Sequence, residues 1–468
     1  MSESRTRYLA KNTAIFAVGN LASKLITFFL VPLYTNALNT TEYGTIDLVS
    51  TICYVLAPVL ILNISESVMR FSLDKDADYE EIISIGVRML IISFAVGLLL
   101  VPIAKHVNAI SQFAIYIYFF IITNSASQLF LYYLRGKEKL MEYTIGNVLH
   151  TFTIGIFNII FLIYFKQGVV GYFKAYIFSS LVTAIYALIK GNVIHEAKLF
   201  KINSELCMNM LKYSIVLIPN TFMWWIMNSS DRIMVTGMVG ADANGVYAIS
   251  YKLPTLVSTI TMIFNQAWSY SAIREEGAND EDEYNNSILK KLVCFVFMIG
   301  IAIITFCKPF LKIYVAEDYY VAWKYTPFLV IGCVYLTLAT FMATTYTVHK
   351  DSFGYLFSGM FGAVLNVILN FILIPIIGVY GAALATCVSY IAVFGFRLIH
   401  TKKYIRFNFL FKEYIIGAVI IAISGSLLFC TLWYASLLQL ILFITVLFFY
   451  APTCLPLIKR TIEKKIGK

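Results

Sequence analysis

Charge is what this sequence has least of. Only 13% of its 468 residues are Asp, Glu, Lys or Arg, whereas 60% are hydrophobic and the mean hydropathy is +0.78. A water-soluble domain carries about 25% charged and about 45–50% apolar residues. An apolar excess of this size excludes a water-facing surface for most of the chain, and lipid is the solvent it requires. Paired cysteines are missing as well: none of the eight (Cys53, Cys207, Cys294, Cys307, Cys333, Cys387, Cys430, Cys454) forms a C-x-x-C pair. Their spacing excludes a zinc site or disulfide framework and reads as small hydrophobes between helices. No run alternates basic and aromatic residues, so a stacking platform for nucleic acid is excluded. There is no G-x-x-x-x-G-K-[ST] loop, G-x-G-x-x-G fingerprint, H-E-x-x-H or G-x-S-x-G, and no polar gap could hold a catalytic domain. Nucleotide-driven pumping by this chain alone is therefore excluded. The five histidines are scattered without ligand spacing.

What is present is a series of long apolar stretches. A membrane-spanning helix needs about 20 mostly apolar residues. That length predicts an all-α membrane protein of about fourteen spans, near 10–36, 43–71, 82–104, 112–134, 143–165, 168–189, 209–236, 244–273, 288–307, 325–347, 355–376, 378–399, 411–432 and 434–457. The first stretch contains Asn20 and Lys24 and lacks a small-residue cleavage site, so it is expected to remain in the mature protein.

Lys and Arg in the gaps set the orientation. With the N-terminus inside, 25 basic residues fall on the cytoplasmic side, Arg397 among them, and 5 on the other: Lys105, Lys166, Lys308, Lys312 and Lys324. Both termini are expected in the cytoplasm. The acidic gap around Glu275–Glu283 also falls inside, as a solvated loop.

The chain repeats itself. Gly168-Val169-Val170-Gly171 opens the sixth span, and Gly378-Val379-Tyr380-Gly381 opens the twelfth, 210 positions later. Six spans per unit give both copies the same orientation, which predicts two lobes related by a pseudo-two-fold axis along the membrane normal. The expected divisions are an N-terminal six-helix lobe (1–191), a cytoplasmic linker (192–208), a C-terminal six-helix lobe (209–400), and two further spans with a basic tail (401–468).

Polar residues inside spans ask for a reason, because an ionisable side chain at the bilayer centre costs at least about 2.5–3.5 kcal/mol. Lys24 shares a helical face with Asn20 and Thr27 in span one. In span two Asn63, Glu66 and Arg70 fall on one face, with Glu66 and Arg70 spaced to neutralise each other. Span seven has Pro219, a kink site, followed by a stripe of Asn220, Trp224, Asn228 and Asp231, with Arg232 beside it. Span eight carries Lys252 ahead of Pro254, with Thr255, Thr259 and Gln266 on its face. Under the two-fold arrangement Lys24 and Lys252 would face each other across a cavity. Asn366 and Asn370, one turn apart in span eleven, join Thr386 of span twelve and Asp231 as a candidate oxygen-rich pocket for Na⁺ or a proton; ordinary interhelical hydrogen bonding is the alternative. Arg88 and Lys174 read as anchors near an interface, and Tyr319, Tyr320, Trp323, Trp433 and Tyr434 as an aromatic belt.

Several local patterns, in order, resemble one family. They are Lys11-Asn12-Thr13 leading into Phe29-Leu30-Val31-Pro32-Leu33-Tyr34, then Glu42-Tyr43-Gly44 and Arg70. The second half adds Tyr213-Ser214, Ile218-Pro219-Asn220, Asp231-Arg232, Gly245-Val246-Tyr247, Tyr251-Lys252 and the pair Gly378 and Gly381. From about residue 7 to 400 the chain resembles the polysaccharide transporters, the Wzx-type O-antigen and repeat-unit flippases. Their superfamily includes multidrug and toxin extrusion antiporters and lipid II flippases. The resemblance implies a non-enzymatic flippase of a bacterial cytoplasmic membrane. It would carry an undecaprenyl-diphosphate-linked oligosaccharide to the outer leaflet by alternating access coupled to Na⁺ or H⁺, alongside other polysaccharide-assembly proteins. On that reading Lys24, Arg70, Arg232, Lys252, Asn20, Asn220 and Asn228 line a cationic substrate cavity, while Asp231, Asn366, Asn370 and Thr386 hold the coupling ion. Asn370 stands where a carboxylate would hold a cation more strongly. A drug/cation antiporter or a lipid II flippase is the alternative within the same class, and a membrane scaffold of an assembly complex the alternative outside it.

Overall fold

The computed structural model describes residues 2–74, 76–106, 111–198, 203–274, 277, 280–409 and 411–466. No strand occurs among the described residues. The helices are α1 (Ser2–Ala37), α2 (Thr40–Leu60), α3 (Ile64–Ser72), α4 (Tyr79–Ala104), α5 (Ala114–Gly136), α6 (Leu140–Asn158), α7 (Gly168–Gly191) and α8 (Val193–Glu196). They continue with α9 (Ser204–Met238), α10 (Ala241–Ser250), α11 (Pro254–Arg274), α12 (Glu281–Tyr314), α13 (Thr326–Val348), α14 (Ser352–Ile377), α15 (Val379–His400), α16 (Lys412–Leu427) and α17 (Ala435–Ile466). Ten helices among the described residues are long and apolar enough to cross a membrane. The other four expected segments, the first, seventh, eighth and thirteenth, coincide with α1, α9, the α10–α11 pair and α16.

Two compact units divide the chain at Ser229/Ser230, inside α9. The expected linker 192–208 lies within the first unit, and the expected boundary at 400/401 within the second. In unit 1, α7 packs on α5 and α6, α1 lies against α6, and α3 against α5. In unit 2, α15 packs on α13 and α14, α11 lies against α13, and α16 and α17 cover α12.

Two expected spans are broken rather than continuous. Span two stops at Leu60 and restarts at Ile64, with Leu62 and Asn63 at positive φ. Pro58 lies in the last turn before the break, and its carbonyl accepts the Asn63 amide at 2.6 Å. The Ser93 hydroxyl donates to the freed Leu60 carbonyl at 2.8 Å, as a carbonyl inside a membrane requires. Asn63 therefore sits at a break, not on a shared helical face. Span eight, expected as one helix over 244–273, is interrupted at Tyr251–Leu253, just ahead of Pro254. Thr326 Oγ1 lies 3.3 Å from the buried Ser250 carbonyl at the end of α10, sharing its hydrogen with the Ala322 carbonyl at 2.9 Å. Span five finishes in a π turn, Ile159–Tyr164.

The glycine repeat has one mechanical explanation in both copies. Gly168 and Gly378 take positive φ (+54° and +59°), turning the chain between consecutive helices. Gly171 and Gly381 allow the following helix to touch the preceding backbone: a Cβ would stand 3.0 Å from the Phe161 carbonyl oxygen in one copy and 2.5 Å from that of Leu373 in the other.

The chain between the repeats is fastened to unit 1. Glu196 accepts from Lys137 Nζ at 2.7 and 2.8 Å and from the Tyr133 hydroxyl. Beyond it, Lys198 pairs with Glu80, its amide donates to Ser84 Oγ, and Arg88 Nη2 donates to its carbonyl at 3.0 Å. Arg88 thus anchors the linker. Lys174 Nζ donates to Gln167 Oε1 at 2.9 Å.

One basic residue assigned to the cytoplasmic gaps lies elsewhere. Arg397 is only 6% exposed on α15; Nη1 donates to the Ala339 carbonyl of α13 at 2.8 Å and Nε to Ser358 Oγ of α14 at 3.0 Å. It links three helices because a guanidinium has five donors to distribute. Tyr319, expected in the aromatic belt, is fully buried. The seven described cysteines are free, and Cys454 lies outside the described side chains.

Candidate functional site

In unit 2 the structure brings Asp231, Asn366, Asn370 and Thr386 into one buried cluster. Asp231 is on α9, Asn366 and Asn370 are one turn apart on α14, and Thr386 is on α15. Asp231 is 4% exposed and Asn370 fully buried. Asn370 Nδ2 donates to Asn366 Oδ1 at 2.9 Å, and Asn366 Nδ2 to Thr386 Oγ1 at 3.3 Å. Asp231 Oδ1 accepts from the Arg232 amide at 2.9 Å.

Sequence reasoning missed two members of this cluster. Tyr247 and Tyr251 lie four apart on α10 and its C-terminal boundary, and so on one face. Both hydroxyls donate to Asp231 Oδ2, at 2.7 and 2.8 Å. The Tyr251 hydroxyl is also 3.5 Å from Thr386 Oγ1, which links the carboxylate to the Asn–Thr group. The i,i+4 tyrosines just before the Lys252–Pro254 break were the available signal. The Arg232 guanidinium lies over the Tyr251 ring, 5.4 Å from its centroid.

The donor set is rich in acceptors: a carboxylate, two amide oxygens and three hydroxyl oxygens. Asn370 Oδ1 is buried and accepts no hydrogen bond among the described residues. An unsatisfied buried acceptor costs about 1–3 kcal/mol, and a cation beside it would relieve that cost. The residues therefore fit a hard cation, which favours oxygen ligands.

The cations expected to line a cavity are placed as follows. Lys24 is exposed on α1 and has no hydrogen bond or ion pair among the described residues. Arg70, exposed on α3, is bound by Asp74 (Nη1 to Oδ1, 2.6 Å) and not by Glu66, which is half-buried. Asp74 lies two residues beyond the end of α3, one turn from Arg70. Lys252 is half-buried within the break of span eight. The side chains of Asn20, Asn220, Asn228, Trp224 and Gln266 lie outside the described residues.

A family model described as polysaccharide biosynthesis protein matches residues 9–270, more than half of the chain. This chain belongs to that family. Over 434 residues the family member is also 24% identical to an uncharacterised membrane protein of Methanocaldococcus jannaschii, covering 85% of this chain and 99% of the relative. Its fold is similar to that of the lipid II flippase MurJ in an inward closed conformation, with TM-score 0.67 at 12% identity, covering 98% of this chain and all of the other. It is also similar to a mutant MATE transporter of Vibrio cholerae, with TM-score 0.58 at 14% identity and coverage of 88% and 99%. At these identities the likeness is one of fold.

Proposed function

We propose that this family member flips an undecaprenyl-diphosphate-linked oligosaccharide repeat unit from the cytoplasmic to the outer leaflet of a bacterial cytoplasmic membrane, supplying surface polysaccharide assembly. The observation that carries the reading is the conjunction of a polysaccharide biosynthesis family with a fold like that of a lipid II flippase. The sign of the intramembrane charge supports it. Lys24, Arg70, Arg232 and Lys252 are basic positions suited to a diphosphate and to acidic sugars, two from each unit. Both termini would be cytoplasmic, from the distribution of Lys and Arg.

Transport would be driven by alternating access coupled to Na⁺ or H⁺. Asp231, Asn366, Asn370 and Thr386 would hold the ion, with Tyr247 and Tyr251 fixing the carboxylate. Ion binding would favour whichever arrangement closes best around it, by its differential affinity for the two states. A drug/cation antiporter is the second reading, favoured by the similarity to a MATE transporter.

Reconstitution into proteoliposomes tests both. A fluorescent lipid-diphosphate oligosaccharide should become accessible in the opposite leaflet only with the protein present, and deletion of the gene should cause that lipid-linked glycan to accumulate. Export of ethidium-like cations without glycolipid flipping would reverse the order of the two readings.

A further inference from the structure

Unit 1 contains a cavity that the proposed transport reading does not use. It measures about 650 Å³ and lies between the end of α1 (Leu33, Asn36), the first turn of α2 (Glu42), and the π turn with the loop after it (Leu162, Ile163, Lys166). The volume is within the roughly 300–1,000 Å³ of small-molecule sites. Both turns that bound it, 38–39 and 165–167, end apolar spans, which puts it at the boundary between membrane and water. In the topology set by the basic residues that boundary is the outer one.

Its two charges have opposite sign and do not pair with each other. Glu42 Oε2 accepts the Asn39 amide in a capping box at 3.0 Å. Oε1 accepts nothing among the described residues and points past Gly168, where a Cβ would stand only 2.8 Å away. A side chain at 168 would crowd the carboxylate, and glycine leaves it open. Lys166 is exposed at positive φ (+51°), with no hydrogen bond or ion pair among the described residues. Asn36 uses Nδ2 on the Pro32 carbonyl at 2.7 Å, which leaves its side-chain oxygen as an acceptor at the rim. The remaining wall is apolar, with Leu162 buried and Ile163 open to the surroundings.

An open cavity with one anionic acceptor, one ammonium and an aliphatic wall matches an amphiphile that carries the complementary pair. We infer that it binds the headgroup of a phospholipid with a primary amine, a phosphatidylethanolamine. The lipid ammonium donates to Glu42 and Asn36, the phosphate meets Lys166, and an acyl chain lies along Leu33, Leu162 and Ile163. A choline headgroup has no N–H to donate, and a glycerol headgroup carries no positive charge for Glu42. Both must bind more weakly, by about tenfold for each 1.4 kcal/mol of hydrogen bonding lost.

Native mass spectrometry of the purified full-length protein, delipidated and titrated with defined lipids, tests the assignment without any transport assay. Phosphatidylethanolamine should bind at one copy per chain, and phosphatidylcholine and phosphatidylglycerol about tenfold or more weakly. Glu42→Gln keeps the capping acceptor for the Asn39 amide and should reduce ethanolamine-lipid binding to the choline-lipid level. Lys166→Gln should weaken every phospholipid. Water-soluble glycerophosphoethanolamine should compete poorly, because it lacks the acyl chain. Equal retention of all three lipids, or ethanolamine-lipid binding unchanged in both variants, would mean annular lipid only and overturn the assignment. Full competition by the soluble headgroup would overturn the lipid as its source.

Discussion

The hydroxyl of Tyr251 lies 2.8 Å from Oδ2 of Asp231, the same carboxylate oxygen that Tyr247 reaches at 2.7 Å. Two phenols on one oxygen hold the carboxylate in a single rotamer, and its other oxygen is held by the Arg232 amide. Tyr251 is also the first residue of the break in span eight, so the local path of that helix and the orientation of the carboxylate are linked.

Coupling should therefore depend on Asp231 and, more weakly, on the tyrosines. Hydrogen bonds to a charged group are worth about 1.5–3 kcal/mol each. Tyr247→Phe or Tyr251→Phe should lower apparent ion affinity by roughly 10- to 100-fold, while Asp231→Asn should abolish dependence on the gradient. The measurement is glycolipid flipping in proteoliposomes with an imposed Na⁺ or proton gradient. Wild-type flipping indifferent to both gradients, and unchanged in Asn370→Ala, would reduce the cluster to helix packing.

The intramembrane lysines give a second expectation. A lysine at depth costs about 2.5–3.5 kcal/mol, and Lys24 has no protein anion to offset it among the described residues. Lys24→Ala and Lys252→Ala should each sharply reduce flipping with normal amounts of protein in the membrane, and Lys→Arg should retain part of it. Surface polysaccharide produced at wild-type level by both alanine variants would remove the cationic-substrate argument.

Most of this architecture was legible because a lipid-facing helix writes itself as a long apolar run; ten of the expected runs coincide with described helices long and apolar enough to cross a membrane, and the other four only overlap helical segments. The Asn366–Asn370–Thr386–Asp231 grouping was legible for a related reason: polar side chains are rare enough in spans to be conspicuous. Tyr247 and Tyr251 were not, because tyrosine is common here, with 32 in the chain, and serves equally as core and as belt. The helix breaks were only half visible. Pro58 and Pro254 mark where an amide is missing, but whether a helix bends or stops depends on a distant acceptor or donor such as Ser93 or Thr326. Arg397 was misassigned for the same reason, since its partners Ala339 and Ser358 are far away in sequence.

Topology is open to direct test. In a cysteine-free background, single cysteines at positions 39, 241 and 377 should react with an impermeant thiol reagent added to intact cells, and those at 138, 280 and 403 should not. The basis is the excess of basic residues on one side, 25 against 5 in the sequence and still 24 against 5 with buried Arg397 set aside. Labelling at 138 or 403 from outside would invert the orientation, and with it the leaflet to which the lipid cavity is assigned.

A last expectation concerns Asp351, which clamps the start of α14 to the segment after α15. Its Oδ1 accepts the Gly354 amide at 2.8 Å, and its Oδ2 accepts from Lys403 Nζ at 2.9 Å and the Tyr404 hydroxyl at 3.0 Å. The Gly354 amide first, and then the Lys403 ammonium, hold its carboxyl down at about 2, from an ordinary value of 3.8. Because the folded value is the lower one, the clamp contributes fully above roughly pH 4 and is lost as pH falls through 2. Hydrogen exchange across 400–409, corrected for intrinsic rates, should thus be unchanged between pH 7 and pH 5. Asp351→Asn keeps an acceptor for the Gly354 amide but removes the charge that holds Lys403, so it should raise exchange in that segment while leaving α13 and α15 protected. Asp351 is half-buried but its partner Lys403 is exposed, and ion pairs open to water contribute little to global stability, so the effect should stay local. Exchange across 400–409 identical in wild type and Asp351→Asn would show that Phe407 and Phe409, both buried, hold the segment without the clamp.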